Sequence, residues 1–183
     1  MDSLITAFEI VFPAVVVGLI AFFIISRYLR YEETRQKFSI DKARLEIVIP
    51  ARMQAYERVI LFLERTQPES LVRRILRSNT SARSFQTDLV SAVRSEYEHN
   101  ISQQIYVSLA AWAMVKTATE ETIRLINVAG SKIPANNLAS ELAERILEIS
   151  SQIGKFPTHM AIEHIKKEFA QYFFQTNQTT IEE

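Results

Sequence analysis

Residues 95–108 bring several chemically active side chains together within a helical pattern. A carboxylate, an imidazole and three amides occur there: Glu96, His99, Asn100, Gln103 and Gln104. Spacings of three and four residues place side chains on the same side of a helix. Such a group could bind a metal ion, transfer protons, or form hydrogen bonds across a contact between helices.

Metal binding is the most specific of these three interpretations. Glu96 and His99 have the E-x-x-H spacing of di-iron carboxylate bundles, which need a second such pair and two further inward carboxylates. The remaining histidines, His159 and His164, have no Glu three residues before them. We therefore predict no metal site and no cofactor, and a carboxylate–histidine metal enzyme ranks third among the functions considered.

General acid–base catalysis has no supporting motif. The chain has three Gly and no Cys, which excludes thiol nucleophiles and leaves too little glycine for a phosphate-binding loop. No nucleophile elbow occurs either. The sequence therefore predicts no catalytic residues and no enzymatic activity.

Hydrogen bonding across a helix–helix contact is the interpretation that the pattern favours. At 100° per residue, Asn100 and Gln104 fall inside the apolar stripe that Phe85, Leu89 and Val93 define. A buried amide costs free energy unless it is paired, so it selects the helix that packs beside it. We predict that the five side chains form a polar helix-packing cluster, within one chain or between copies.

The elements that position this cluster are predicted to be helices throughout. Three Gly and five Pro in 183 residues are low counts, which favours long helices over turn-rich strands. Neither Pro nor Gly occurs between Ala82 and Ala129, so one long helix is expected there. Pro50 is expected to end or kink the helix before it. The predicted fold is all-α, with one N-terminal transmembrane helix and a bundle of long antiparallel helices.

The N-terminal segment is predicted to cross a membrane. Residues 10–26 carry no charge over 17 positions, and residues 4–7 extend this stretch toward the roughly 30 Å of a bilayer core. Lys and Arg follow the segment and none precedes it, which places the N-terminus outside and the remainder in the cytoplasm. The expected location is the cytoplasmic (inner) membrane, with a single pass.

The chain then divides into four predicted segments. They are an anchor at 1–30 with its span at about 4–26, a helical stalk at 31–49, a cytoplasmic helical domain at 50–175, and a disordered tail at 176–183.

Charge is unevenly distributed along the chain, although the formal net charge is zero. Residues 27–83 hold 13 Lys or Arg against 7 Asp or Glu, whereas residues 84–183 hold 8 against 12. Anionic lipid attracts basic side chains near a bilayer by about 1 kcal/mol each. The predicted headgroup contacts are Arg27, Arg30, Arg73, Arg74, Arg77 and Arg83. No aromatic platform for base stacking accompanies them, so nucleic acid is not an expected partner.

Two stretches of the sequence resemble the signatures of an uncharacterised family of small bacterial single-span membrane proteins. They are PARMQAYERVILFLERTQP, from Pro50, and SEYEHNISQQIYVSLAAW, from Ser95. The resemblance covers roughly residues 10–175 and implies a helical cytoplasmic domain on a membrane anchor, with no assigned activity. The two stretches have complementary polar side chains, so the possible partners of the polar cluster across a helical hairpin are Arg52, Gln54, Tyr56, Glu57 and Arg58.

The function expected from these observations is that of a membrane-anchored, non-enzymatic scaffold or accessory subunit of a membrane protein complex. Its expected partners are membrane lipid and further copies of itself. The alternative is a helical regulatory or sensor module that binds anionic lipid or a small ligand.

Overall fold

Helices make up most of the part of the chain that the structure describes. The computed structural model describes the backbone from Asp2 to Gln175 and the side chains of residues 16–32 and 46–173. Six α-helices follow one another: α1 (Asp2–Thr66), α2 (Pro68–Ile75), α3 (Ala82–Asn100), α4 (Leu109–Gly130), α5 (Ala139–Gln152) and α6 (Pro157–Ala170). A 3₁₀ turn, Ile101–Ile105, lies between α3 and α4, and a π-helical segment, Gln171–Gln175, follows α6. The predicted all-α class is confirmed over this range. The side chains of residues 4–15 and 33–45, and the whole predicted tail at 176–183, lie outside the described residues.

The predicted transmembrane anchor is not supported. Among the residues that the structure describes, no helix is both long enough and apolar enough to cross a bilayer. The predicted span at residues 4–26 is therefore wrong, and so is the predicted single-pass location in the bacterial inner membrane. The uncharged stretch is 17 residues long, which gives about 26 Å of helix against a hydrocarbon core of roughly 30 Å. Arg27 and Arg30 follow it within one turn of the same helix.

Helix α1 continues through Pro50, where the sequence predicted an end or a kink. Proline has no N–H, so the carbonyl of Glu46 loses one helical hydrogen bond there, yet the helix extends to Thr66. The chain divides into two compact units between Pro50 and Ala51. Unit 1 contains the residues up to Pro50, and unit 2 contains the residues from Ala51 onward, including the last four turns of α1.

The single helix predicted from Ala82 to Ala129 is wrong, because the chain leaves the α-helical path after Asn100. The Asn100 side chain donates to the carbonyl of Glu96 at 2.8 Å, and the 3₁₀ turn begins at the next residue. Ser108 then has extended backbone angles, and its Oγ accepts the N–H of Ala111 at 3.0 Å as the N-cap of α4. Side chains that bond to nearby backbone groups compete with helix continuation, so this break needs neither Gly nor Pro.

Two hydrophobic clusters form the interior of unit 2, and α4 contributes buried residues to both. The α5 cluster joins α2, α3, α5 and the second half of α4; it includes Leu71, Phe85, Leu89, Val93, Ile126, Leu142 and Ile146. The α6 cluster joins residues 51–66 of α1, the first half of α4, and α6; it includes Tyr56, Phe62, Ala111, Trp112, Val115, Ile162 and Ile165. Helix α4 is thus the central element of unit 2, with one cluster on each half of its length.

Candidate functional site

Glu96, the first member of the predicted polar cluster, lies where α1, α2 and α3 meet. Its Oε1 is 2.7 Å from Nε and 2.6 Å from Nη2 of Arg65, and 3.9 Å from Nη1 of Arg74. Arg74 also donates to the backbone carbonyl of Arg65 at 3.3 Å. The Glu96 side chain is 19% exposed and that of Arg65 is 53% exposed. The carboxylate therefore acts as an ion-pair partner for two neighbouring helices.

The other four members of the cluster make local contacts. His99 is exposed, and its Nδ1 lies 2.6 Å from the carbonyl of Ser95. The Gln103 amide donates to Oγ of Ser102 at 3.3 Å, and Gln104 is exposed. Together with the Asn100 contact, these bonds stay within the end of α3 and the turn that follows it. The described side chains include no group of three or more potential metal ligands.

The predicted partner group on α1 has its contacts elsewhere. Nε of Arg52 donates to the carbonyl of Tyr106 at 2.9 Å, and the guanidinium carbon lies 4.0 Å from the centre of the Tyr172 ring. Both contacts attach the start of unit 2 to segments that follow α3 and α6. Of the remaining members, Tyr56 is buried, whereas Gln54, Glu57 and Arg58 are exposed.

The six arginines predicted to contact lipid headgroups are all exposed, and they divide between the two units. Arg27 and Arg30 belong to α1 in unit 1, where Nε of Arg30 donates to the carbonyl of Ser26 at 3.3 Å. The other four belong to unit 2, on α2, in the loop after it and in the first turn of α3: Arg73, Arg74, Arg77 and Arg83.

The opposite charges of Arg65 and Glu96 are expected to contribute a measurable coupling free energy to the stability of the protein. In a double-mutant cycle with Arg65→Gln and Glu96→Gln, the coupling free energy should be between about 0.3 and 1 kcal/mol, because one partner is half exposed. The measurement is urea unfolding followed through the fluorescence of Trp112, the single tryptophan of the chain. A cycle that pairs exposed Arg58 with Glu96 is the control and should be additive. Equal coupling free energies in the two cycles would contradict an ion pair between Arg65 and Glu96.

Glu168 is the one charged side chain that is buried among the described residues, with 9% of its surface exposed. Its Oε1 accepts the hydroxyl of Tyr56 at 2.5 Å and the N–H of Ser108 at 3.0 Å. Its Oε2 accepts the hydroxyl of Ser108 and lies 3.8 Å from Nε2 of His164. The carboxylate thus receives donors from α1 and from the N-cap of α4, while belonging to α6 itself.

Local structure places each donor of this site. Ser108 caps α4: its Oγ accepts the N–H of Ala111 in the first turn, and its own N–H and hydroxyl donate to Glu168 in the last turn of α6. Tyr56 is held by edge-to-face contacts of its ring with Phe169, at 5.5 Å between centres, and with Phe173, at 6.2 Å. We call the three side chains of Tyr56, Ser108 and Glu168 the carboxylate link.

The electrostatics of the link fix its protonation state at neutral pH. Burial raises the pKa of Glu168, but hydrogen bonds from Ser108 and Tyr56 outweigh burial, and its pKa lies below the ordinary value of 4.5. Burial, followed by the hydrogen bond to Glu168, raises the pKa of Tyr56 well above its usual range. A neutral phenol therefore donates to an ionised carboxylate. This arrangement suits a permanent structural contact, because a carboxylate with a lowered pKa is a weak proton acceptor.

Sequence reasoning missed Glu168, although α6 contained a signal for it. Ala161, Ile165 and Glu168 follow one another at spacings of four and three, so the carboxylate occupies a position of the buried stripe of α6. A charged residue at an apolar position needs a partner. That partner, Tyr56, is 112 residues away in sequence.

Acid is expected to destabilise unit 2 through Glu168. Because the pKa of the folded protein is lowered, the stabilisation is fully present above the unfolded value of about 4.5 and is lost as the pH falls through the lower folded value. Urea unfolding between pH 6 and pH 3 should show this loss in the wild type and a smaller loss in Tyr56→Phe. The pKa of Glu163 is also lowered, by the hydrogen bond from Lys155, so Glu163→Gln is the matched control. An equal pH dependence in wild type and Tyr56→Phe would rule out the hydrogen bond from Tyr56 as its source.

Fold and site together define the class of protein: a small all-helical protein in which a buried, fully hydrogen-bonded carboxylate joins three helices. The chain belongs to a family of unknown function, DUF7935, which it matches over residues 2–172. The expectation of an uncharacterised family is thereby confirmed. No curated protein and no solved structure matches the chain.

Proposed function

We propose that the protein is a non-enzymatic scaffold or accessory subunit that associates with copies of itself through the apolar part of α1 in unit 1. The observation that carries this proposal is the exposure of large apolar side chains over about four turns of that helix. Eight of them are at least 55% exposed: Val17, Leu19, Ile20, Phe22, Phe23, Ile24, Ile25 and Leu29.

The size of this apolar surface matches what association requires. At on the order of 100 Å² each, the eight side chains offer roughly 800 Å², which is what one partner contributes to a stable interface. A helix that is apolar on all sides is normally buried, and a continuous exposed patch of more than a few hundred Å² marks an interaction surface. A second copy of the chain carries the same surface, so two or more copies can cover one another.

The chemistry of unit 2 supports a structural role over a catalytic one. Among the described residues of unit 2, the carboxylates of Glu96 and Glu168 are engaged by donors from neighbouring elements. The lowered pKa of Glu168 makes it a poor general base at neutral pH. These contacts hold helices together and suit a rigid module attached to an association segment.

Native mass spectrometry of the full chain in mild detergent tests the proposal. The wild type should give a defined oligomer of the 21.1 kDa chain. The double variant Phe22→Glu, Ile25→Glu should give the monomer, because an interface that covers these positions would bury two unpaired carboxylates.

A matched control uses exposed apolar residues of unit 2. Leu109 is 91% exposed and Ile105 is 74% exposed, so the double variant Ile105→Glu, Leu109→Glu should keep the oligomer of the wild type. A monomeric wild type would overturn the proposal. An oligomer that survives the unit 1 substitutions, or that the control variant also loses, would show that α1 is not the association segment.

A second candidate function is a regulatory module that binds an anionic ligand, and one groove favours it. An open groove of about 570 Å³ runs along α3, with Arg83 and Arg94 three turns apart in its lining and Thr87 and Ser91 between them. Titration calorimetry with inorganic pyrophosphate should detect binding that Arg94→Gln removes. The carboxylate of Glu98 lies in the same lining and opposes an anion, which is why self-association is the preferred proposal.

A further inference from the structure

The two clusters of unit 2 are held by different sets of helices, with α4 shared between them and Tyr97 of α3 packed against the α6 cluster. Among the described residues, α4 is the one helix whose buried side chains belong to both. The α5 cluster is held by α2, α3 and α5, whereas the α6 cluster is held by residues 51–66 of α1 and by α6. Cooperative opening of part of a protein commonly follows such a division of the core.

The carboxylate link is the buried polar contact that holds α1 and α6 on α4, and a part-buried hydrogen bond from Arg52 to the carbonyl of Tyr106 also joins α1 to the turn before α4. When either α1 or the N-cap of α4 moves away, Glu168 loses donors and remains an ionised group. The loss of a buried charge's partners costs far more than the loss of an exposed pair. The titratable and charged groups near it come from α1, α6 and the segment after it: Arg52, Tyr56, His164 and Tyr172.

We infer that residues 51–66 of α1 and helix α6 separate from α4 and from one another in one concerted opening, while the α5 cluster stays packed, and that the carboxylate link keeps this opening rare. The inference goes beyond the proposed function, because it concerns unit 2 and not the association segment of unit 1. The open form would present an apolar surface of its own on α4, formed by Ala111, Val115 and Ala118.

The contacts between α1 and α3 do not prevent such an opening. The ring of Phe62 lies 6.3 Å from that of Tyr97, and Arg65 pairs with Glu96 at a half-exposed position. Edge-to-face ring contacts and exposed ion pairs are individually weak. The link is therefore the contact whose loss should change the opening most.

Hydrogen exchange of backbone amides in the full chain at pH 7, with low concentrations of urea, tests this inference. In the wild type, amides of residues 53–66 and 159–170 should exchange through a shared opening with a weaker urea dependence than amides of α3 and α5. The weaker dependence follows because less surface is exposed in a partial opening than in complete unfolding.

Removal of the Tyr56 hydroxyl then tests whether the carboxylate link keeps this opening rare. Tyr56→Phe should raise exchange roughly tenfold in residues 53–66 and 159–170, with little change in residues 85–100 and 142–152. Tyr97→Phe is the matched control, since it removes a hydroxyl from another tyrosine that packs on the α6 cluster, and it should leave all four segments near the wild-type rates.

Two results would overturn the inference. The first is a single urea dependence for all four segments of the wild type, which would mean that unit 2 opens as one body. The second is a Tyr56→Phe variant whose exchange rises equally in every segment or does not rise at all. If Tyr56→Phe does not fold, the urea dependence of the wild type alone still decides whether the partial opening exists.

Discussion

Replacement of Glu168 by leucine is expected to lower the free energy of unfolding by about 2–4 kcal/mol. Leucine fills much of the space but accepts no hydrogen bond, so the buried hydroxyl of Tyr56 and the part-buried hydroxyl and N–H of Ser108 lose their acceptor. Each unsatisfied buried donor costs about 1–3 kcal/mol, and the apolar surface gained by leucine offsets part of that cost. Urea unfolding followed by Trp112 fluorescence measures the change, because this tryptophan is buried in the α6 cluster.

Glu163→Leu is the control for this substitution. Glu163 lies on the same helix, is exposed, and pairs with Lys155 on the surface, so its replacement should leave the unfolding free energy close to the wild-type value. Similar losses for the two variants would mean that the carboxylate link contributes nothing beyond an ordinary surface charge.

Replacement of Leu89 by alanine is expected to cost between about 2 and 5 kcal/mol. Leu89 is fully buried in the α5 cluster, and deletion of a buried leucine side chain removes its transfer free energy and leaves a cavity. Urea unfolding followed by far-ultraviolet circular dichroism measures this change, because α3, α4 and α5 make up most of the cluster.

Leu109→Ala is the same chemical change on a helix, and it provides the matched comparison. Leu109 is 91% exposed in the first turn of α4, so its loss should cost about 0.5 kcal/mol or less. A large loss of unfolding free energy in Leu109→Ala together with a small loss in Leu89→Ala would contradict the assignment of the core.

Helical periodicity in the sequence correctly predicts the buried side of α3. Phe85, Leu89 and Val93 recur every four residues, and all three are buried. The repeat works because a helix that packs on one side must bury the same side at every turn. The all-helical class follows from the same kind of local information.

Side-chain chemistry at element ends was harder to predict. Asn100 and Ser108 interrupt a segment without Pro or Gly, since their side chains bond to backbone groups that helix continuation would otherwise use. Hydropathy alone also misled at the N-terminus, where 17 uncharged residues are followed by Arg27 and belong to a helix that continues to Thr66.

The carboxylate link could not be predicted from local patterns. Tyr56 and Glu168 each stand out on their own helix, but their contact depends on how α1 and α6 pack against the start of α4. The polar cluster shows the same limit, because Glu96 meets Arg65 and Arg74 across helices, whereas the amides beside it bond locally.

The distance along the chain between the members of the link has a consequence for biosynthesis. Tyr56 leaves the ribosome 112 residues before Glu168, and Ser108 leaves it 60 residues before. At about 5–20 residues per second, Tyr56 waits roughly 6–20 s for its acceptor. All members of the α5 cluster lie at or before Phe156, so they are synthesised before α6, and the aromatic side of α1 stays uncovered until α6 has been made.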